Sequence, residues 1–414
     1  MAEKRIVIVG GGVVGVACAY YLAKAGAAVL VLERDKIAAG ASFGNAGLIS
    51  PGHPPIPRPG AMRHGLRLMF SRSGPLYVKP TLRPSFWRWM WRFNAACSPG
   101  AFANAMKATS ALSWETGRLY DALLDREPLR CDYRRGGYLE VCRSERGLDE
   151  AREGAELLKR FGFDPRELDE DELLDREPTV REGVMGGFWH PQGRSCDPLV
   201  FTEQLAKRAV AQGVVIRERA AVTAVNVERG RATGVTTEHG ETIPAAAVVL
   251  AAGVWTPSIA KSIGLRAPIE PARGYHVDVQ GGGAPLPRRP LLLMEAKIAV
   301  TPMNGRLRLA GTLEFSGMRS KEQTARQDIL PVNTREYLRD IPMGECSRWA
   351  GLRPCTPDGL PMIGRAPRAR GAFIAAGHGM LGLTFAPVTG KLIAQMMMGE
   401  EPAIDMAPFN PDRF

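Results

Sequence analysis

The chain opens on RIVIVG (5–10), a run of β-branched apolar residues without polar alternation, the pattern of a strand buried on both faces. Residues 14–25 predict a helix and AVLVLE (28–33) a second buried strand, so residues 5–33 read as a βαβ unit. Residues 40–60 are rich in Gly, Pro and Ser and predict a long loop, a feature that is usually functional inside a compact domain. Residues 61–127 read as mostly helical with proline breaks, 136–142 as a strand, 145–177 as charged helix and 187–198 as an irregular loop. A helix is predicted over 199–212, followed by a meander of alternating strands that closes on a buried run at 247–251. Residues 273–279, 291–301 and 306–315 alternate apolar and polar and read as strands of a second sheet. WAGLRPCTPDGLPMIG (349–364) holds three prolines and three glycines, and predicts a stiff irregular segment through which no strand or helix runs. A strand at 372–376 and an apolar helix over 384–398 end the pattern.

At 414 residues the chain is too long for one simple core and suggests two interleaved domains. The expected class is α/β: a Rossmann-type dinucleotide-binding domain assembled from 1–56, 195–268 and 346–414, and a second α+β domain on an antiparallel sheet from 57–194 and 269–345. The seven cysteines are odd in number and widely spaced, with no C-x-x-C. That fits a reducing compartment and argues against a zinc or iron–sulfur site. The basic, apolar N-terminus could pass for a signal peptide, but its glycines interrupt the run and the βαβ reading explains it better. No window reaches the roughly 18 continuous apolar residues of a membrane span.

Charge changes the picture in one place. The net charge is +11, yet no acidic residue lies between Asp35 and Glu115, a stretch holding ten lysines and arginines and a cluster of aromatic residues. Residues 58–97, with Arg63, Arg67, Arg72, Arg88 and Arg92 beside Trp87, Trp89 and Trp91, suit an anionic lipid surface better than a nucleic acid.

The candidate chemistry begins with GGGVVG (10–15). Gly10, Gly12 and Gly15 fill the positions of G-x-G-x-x-G, where glycines permit a tight turn, backbone contact with a pyrophosphate and close helix–strand packing. The N–H groups around Val14 at the helix start bind phosphate, and Glu33 at the end of the next strand accepts from ribose hydroxyls. GGGA at 281–284 follows no helix-opening pattern, so no second dinucleotide site is expected and the electrons should come from the substrate. Ser42, Asn45 and Gly47 offer hydrogen bonds at little steric cost. GHGMLGLTFAP (377–387) opens the last helix, whose positive end can face a flavin ring where charge builds on reduction.

These stretches, with SFGNAGLISPG, VVLAAGVWTP and GLRPCTPDGLPMIG, run the length of the chain in one order. The sequence resembles the D-amino-acid oxidase/glycine oxidase superfamily of flavoproteins, and within it the bacterial D-amino-acid dehydrogenases. The resemblance implies non-covalent FAD and oxidation of a small D-amino acid to an imino acid that water hydrolyses. It also implies electron transfer to a quinone or another respiratory partner, and a cytoplasmic location on the inner face of the membrane. It extends the flavin site to Arg34, Ala46, Leu48, Val222, Ala252, Gly253, Trp255, Gly379, Leu381, Gly382, Leu383 and Thr384, and makes Arg353 of GLRP the partner of the substrate carboxylate. Tyr275 and His276 are the candidates to line the substrate pocket. Leu383 departs from the larger residue usual in the dehydrogenases, and spacing puts Gly351, not Cys355, where related sarcosine oxidases attach flavin. Two alternatives stay open: an O2-using oxidase of glycine, sarcosine or a cyclic amino acid such as hydroxy-D-proline, and the flavin subunit of a hetero-oligomeric dehydrogenase.

Overall fold

The computed structural model describes residues 5–62, 74–341 and 346–414; Arg63, Arg67 and Arg72 of the basic stretch lie outside these.

The opening run forms the strand Ile6–Val9, buried throughout, between parallel strands Val29–Leu32 and Ala247–Leu250. The full sheet runs 215–217, 29–32, 6–9, 247–250, 372–376, 362–365, with only the last strand antiparallel. Both faces are covered, which is why these strands carry no polar alternation. On one side the helices Val13–Lys24, Pro198–Ala211 and Gly382–Met398 share a core with the sheet. On the other lie the antiparallel strands 222–228, 231–237 and 242–244 and their apolar cluster. The first and last of the three helices come close enough that a Cβ on Gly390 would sit 2.6 Å from the Ala17 carbonyl.

The second sheet has nine strands, in the order 346–355, 270–280, 306–315, 298–303, 291–293, 138–142, 186–190, 166–168, with 76–78 beside 306–315. It is antiparallel except where 291–293 meets 138–142 and where 76–78 meets 306–315. The helix expected over 145–177 is two helices, Glu145–Lys159 and Glu170–Arg176, and the run 291–301 splits into Leu291–Leu293 and Ile298–Met303.

The segment expected to be irregular is a strand for most of its first half. Cys346–Cys355 pairs residue for residue with Glu270–Gln280, from Cys346 against Val279 to Cys355 against Glu270. Proline is tolerated because this is the edge of the sheet, where a missing N–H costs no ladder bond on the open side. The Pro354 carbonyl instead accepts from the Gly379 N–H. Irregularity begins only at Thr356. The pairing also moves 346–355, grouped by sequence with the dinucleotide-binding part, into the second sheet.

Among the described residues no helix is long and apolar enough to cross a membrane, and no cluster of His, Cys, Asp and Glu could hold a metal ion.

Candidate active site

A cavity of about 490 Å3 runs from the glycine turn to the start of the last helix. The turn is built by close approach. Gly10 has φ +110°, and a Cβ there would lie 2.6 Å from the Ala251 carbonyl; one on Gly15 would collide with the Gly10 carbonyl. The helix that follows starts at Gly12 with no side-chain cap and no acidic residue in its first turn. Its N–H groups and positive end are therefore presented to the cavity, which suits a pyrophosphate. Ser42 Oγ accepts from the Val13 N–H at 2.9 Å and ties the 40–45 loop over the turn.

Glu33 is buried on the cavity wall, its carboxylate accepting from the Gly11 N–H at 2.5 Å and the Asp35 N–H at 2.9 Å. Beyond it the Arg34 guanidinium stacks 4.6 Å from the Trp255 ring, and Val222, Ala252 and Gly253 complete that end. Asn45, Gly379, Gly382 and Leu383 line the other end, together with Leu352 and Pro354. This mostly apolar space, with the buried Glu33 carboxylate and a helix start near one end, fits a flavin adenine dinucleotide.

Some residues assigned from sequence are near the cavity but not on its wall. Gly15 lies beneath the turn. Ala46, Gly47 and Leu48 shape the loop: Gly47, at φ +76°, accommodates the Cys196 carbonyl, and its N–H donates to Asn45 Oδ1 at 2.9 Å. Thr384 is buried and accepts from the Ser50 N–H at 3.3 Å. Leu381 faces a second cavity. His378, by contrast, lines both cavities; it is buried, its Nε2 3.0 Å from Thr389 Oγ1, and burial pulls its pKa down to about 3.

Arg353 is half-buried on the edge strand. Its guanidinium lies over Gly274, where any Cβ would collide with it, and donates to the Thr312 carbonyl at 2.8 Å. Among the described residues it has no carboxylate partner, although burial lowers its pKa from the usual value. A cation so placed is fitted to receive an anionic ligand.

Strand parity separates the two other candidates. Register puts Arg353 opposite Ala272, Gly351 opposite Gly274 and Trp349 opposite His276, so His276 shares the face of Arg353. Tyr275 is turned to the other face, in a separate apolar core, with its hydroxyl donating to Glu314 at 2.8 Å and accepting from the Gln323 N–H. The structure does not bring it to Arg353. His276 is buried beneath Trp349 and the 43–45 loop: its Nδ1 lies 3.1 Å from the Gly44 carbonyl, which fixes the proton on that nitrogen. Burial, with the nearby Arg308 charge, lowers its pKa to about 4, so the ring is neutral.

Two features escaped the sequence reading. Trp349 stacks on His276 at 5.2 Å between ring centroids, with Phe43 6.1 Å from Trp349. Gly44 and Gly351 make room for that indole, since a Cβ on either would collide with it. The second is a buried ion pair. Arg308 donates to both Asp278 oxygens at 2.8 Å and also to the carbonyls of Phe43 (3.1 Å) and Asn45 (2.8 Å), clamping the cavity-lining loop to the second sheet. Burial works to raise the Asp278 carboxyl, but the bonds and charge of Arg308 hold it below the ordinary value. The signal was present: Asp278 stands two positions from His276, the same strand phase, and Arg308 is a charge inside an apolar alternating run.

Comparison with known proteins gives the family. A family model described as FAD dependent oxidoreductase matches residues 5–396. The chain is 35% identical to a D-amino acid dehydrogenase of Cereibacter sphaeroides over 99% of this chain and 95% of that one. It is 32% identical to a D-amino acid dehydrogenase of Bradyrhizobium diazoefficiens over 99% of both. Among solved structures it is similar to glycine oxidase from Geobacillus kaustophilus, with a TM-score of 0.79, 26% identity and 99% of each chain covered. A dinucleotide cavity of this form and a match from the first strand to the last helix lead to one statement: the chain belongs to the FAD-dependent oxidoreductase family whose members include these enzymes.

Proposed function

We propose that this chain is a dehydrogenase that oxidatively deaminates D-amino acids, releasing a 2-oxo acid and ammonia after hydrolysis of the imino product. The observation that carries the reading is Arg353, a half-buried cation without a carboxylate partner among the described residues, on the strand that gives Leu352 and Pro354 to the dinucleotide cavity from one face and Cys355, on the face of Arg353, to the second cavity. FAD, when bound, supplies the acceptor for the hydride that leaves the substrate Cα. The chain's own residues hold and orient. The N–H groups of Gly12 and Val14 would hold the pyrophosphate and Glu33 the ribose. The start of the Gly382–Met398 helix contributes positive potential to the flavin end. Arg353 would fix the substrate carboxylate, and this positioning contributes several kcal/mol of the barrier, as ordered reactants generally do. His276, neutral, buried and bonded to Gly44, supports the 43–45 loop and takes no proton.

Anaerobic mixing with a panel of D- and L-amino acids tests the reading. D-amino acids should bleach the flavin, and reoxidation by an artificial acceptor should far outpace peroxide release. Bleaching by L-amino acids alone, or peroxide as the main product, removes it.

The acceptor in this reading is a quinone or electron-transfer partner at a lipid surface. Support comes from the helix Pro84–Ala96. Phe86 and Trp89 are buried, while Trp87 and Trp91, one turn apart, are 58% and 72% exposed, and Leu82 just before them is 96% exposed. Arg88 and Lys79 are exposed nearby. Aromatic and apolar side chains beside cations form the interfacial pattern. Replacing Leu82, Trp87 and Trp91 by serine should cut sedimentation with anionic vesicles at least tenfold and leave dye-linked turnover in place. Equal sedimentation of parent and variant would end the membrane reading.

A further inference from the structure

A second cavity, of about 540 Å3, shares the Gly377–Gly379 wall with the first. We infer that it is the pocket for the substrate side chain and that the enzyme selects D-amino acids with large apolar or aromatic side chains. The inference rests on Arg353 as the carboxylate anchor. Arg353 and Cys355 are two positions apart on one strand, so their side chains leave the same face about 7 Å apart. Cys355 is part of the cavity wall. So is Leu313, which directly follows the Thr312 carbonyl that accepts from Arg353. The shared wall is seated on the same strand, through the Gly379 N–H to the Pro354 carbonyl and a bridge between Cys355 and His378. The cavity therefore starts beside the anchor and against the flavin-side wall, where the side chain of a bound amino acid must point.

Its lining sets the chemistry. Leu313, Phe315, Trp89, Phe93 and Leu76 present apolar surface, and the one indole N–H among them is occupied by the Cys355 carbonyl at 3.1 Å. The charged residues of the lining, Arg58, Glu150 and Glu153, are exposed and mark its mouth. A glycine- or alanine-sized substrate would leave this apolar surface facing water, whereas a phenyl or isobutyl group covers it.

The test is a comparison of kcat/KM for flavin reduction with D-phenylalanine, D-leucine and D-alanine, in the parent and in Leu313→Trp. The parent should favour D-phenylalanine over D-alanine at least tenfold, and Leu313→Trp should lower that ratio at least tenfold. Calorimetry gives a second reading independent of turnover: 3-phenylpropionate should bind the flavin-loaded parent at least tenfold tighter than propionate, and the variant should lose the difference. Should Leu313→Trp fail to fold, Phe315→Leu enlarges the cavity and should raise activity on D-tryptophan relative to D-alanine. A parent that favours D-alanine, or ratios that the substitutions do not move, overturns the inference while the deaminase reading stands. Failure of every amino acid to bleach the flavin is the different outcome that removes the deaminase reading. Slower reoxidation by acceptor with unchanged reduction ratios would assign the cavity to the acceptor instead, and overturns it as well.

Discussion

Arg353→Ala should slow flavin reduction at low substrate by roughly two to four orders of magnitude, because leaving a buried charge unpaired costs roughly 3–5 kcal/mol and each 1.36 kcal/mol is a decade in rate. The Thr312 carbonyl, an acceptor that repels a carboxylate, would then stand there without its cation. Arg353→Lys should recover part of the loss, since an ammonium is a point charge without the planar fork that grips both oxygens. Gly274→Ala should show a weaker loss of the same kind, because its methyl group displaces the guanidinium from its seat. The deficit should shrink for amino amides, which carry no carboxylate, and flavin content should stay normal. Stopped-flow reduction across a substrate series measures all of this. Near-normal rates for Arg353→Ala with a good D-amino acid would reduce Arg353 to a structural cation on the sheet edge.

The clamp between Asp278 and Arg308 should be costly to break. Asp278→Ala leaves Arg308, buried, with only the carbonyls of Phe43 and Asn45 as partners, while Arg306 keeps Asp197. The expected loss of stability is about 3–5 kcal/mol, read as a lower urea midpoint with unchanged slope. The protein should also lose flavin on dialysis, since the 43–45 loop that lines the cavity is held by that guanidinium. Asp278→Leu combined with Arg308→Met should recover most of the stability, because an apolar pair of similar volume needs no solvation. A loss for Asp278→Ala below about 1 kcal/mol, the range of exposed pairs, would show that the clamp carries no weight.

The glycine turn and its buried carboxylate were legible in the sequence, and for a local reason. The turn at Gly10–Gly15, the helix it opens and Glu33 at the end of the next strand are all contacts between near neighbours along the chain, and their glycine spacing and uninterrupted apolar runs follow from backbone geometry alone. Arg353 could be singled out, yet its setting could not. Three prolines and three glycines argued for a loop, and only the partner strand Glu270–Gln280, some eighty residues earlier, turns 346–355 into a sheet edge where proline is harmless. The same non-local register decides that His276 faces Arg353 and Tyr275 does not, since a shift of one residue would exchange them. Trp349 over Gly351, the Arg308 clamp on the 43–45 loop and the cavity behind Cys355 depend likewise on segments distant in sequence and joined by strand pairing and burial. Sequence alone determined the glycine turn and the class of fold, because short-range patterns encode them; the tertiary structure decided which side chains share the face of Arg353 and what walls the cavity beside it, because those exist only once distant strands have found their register.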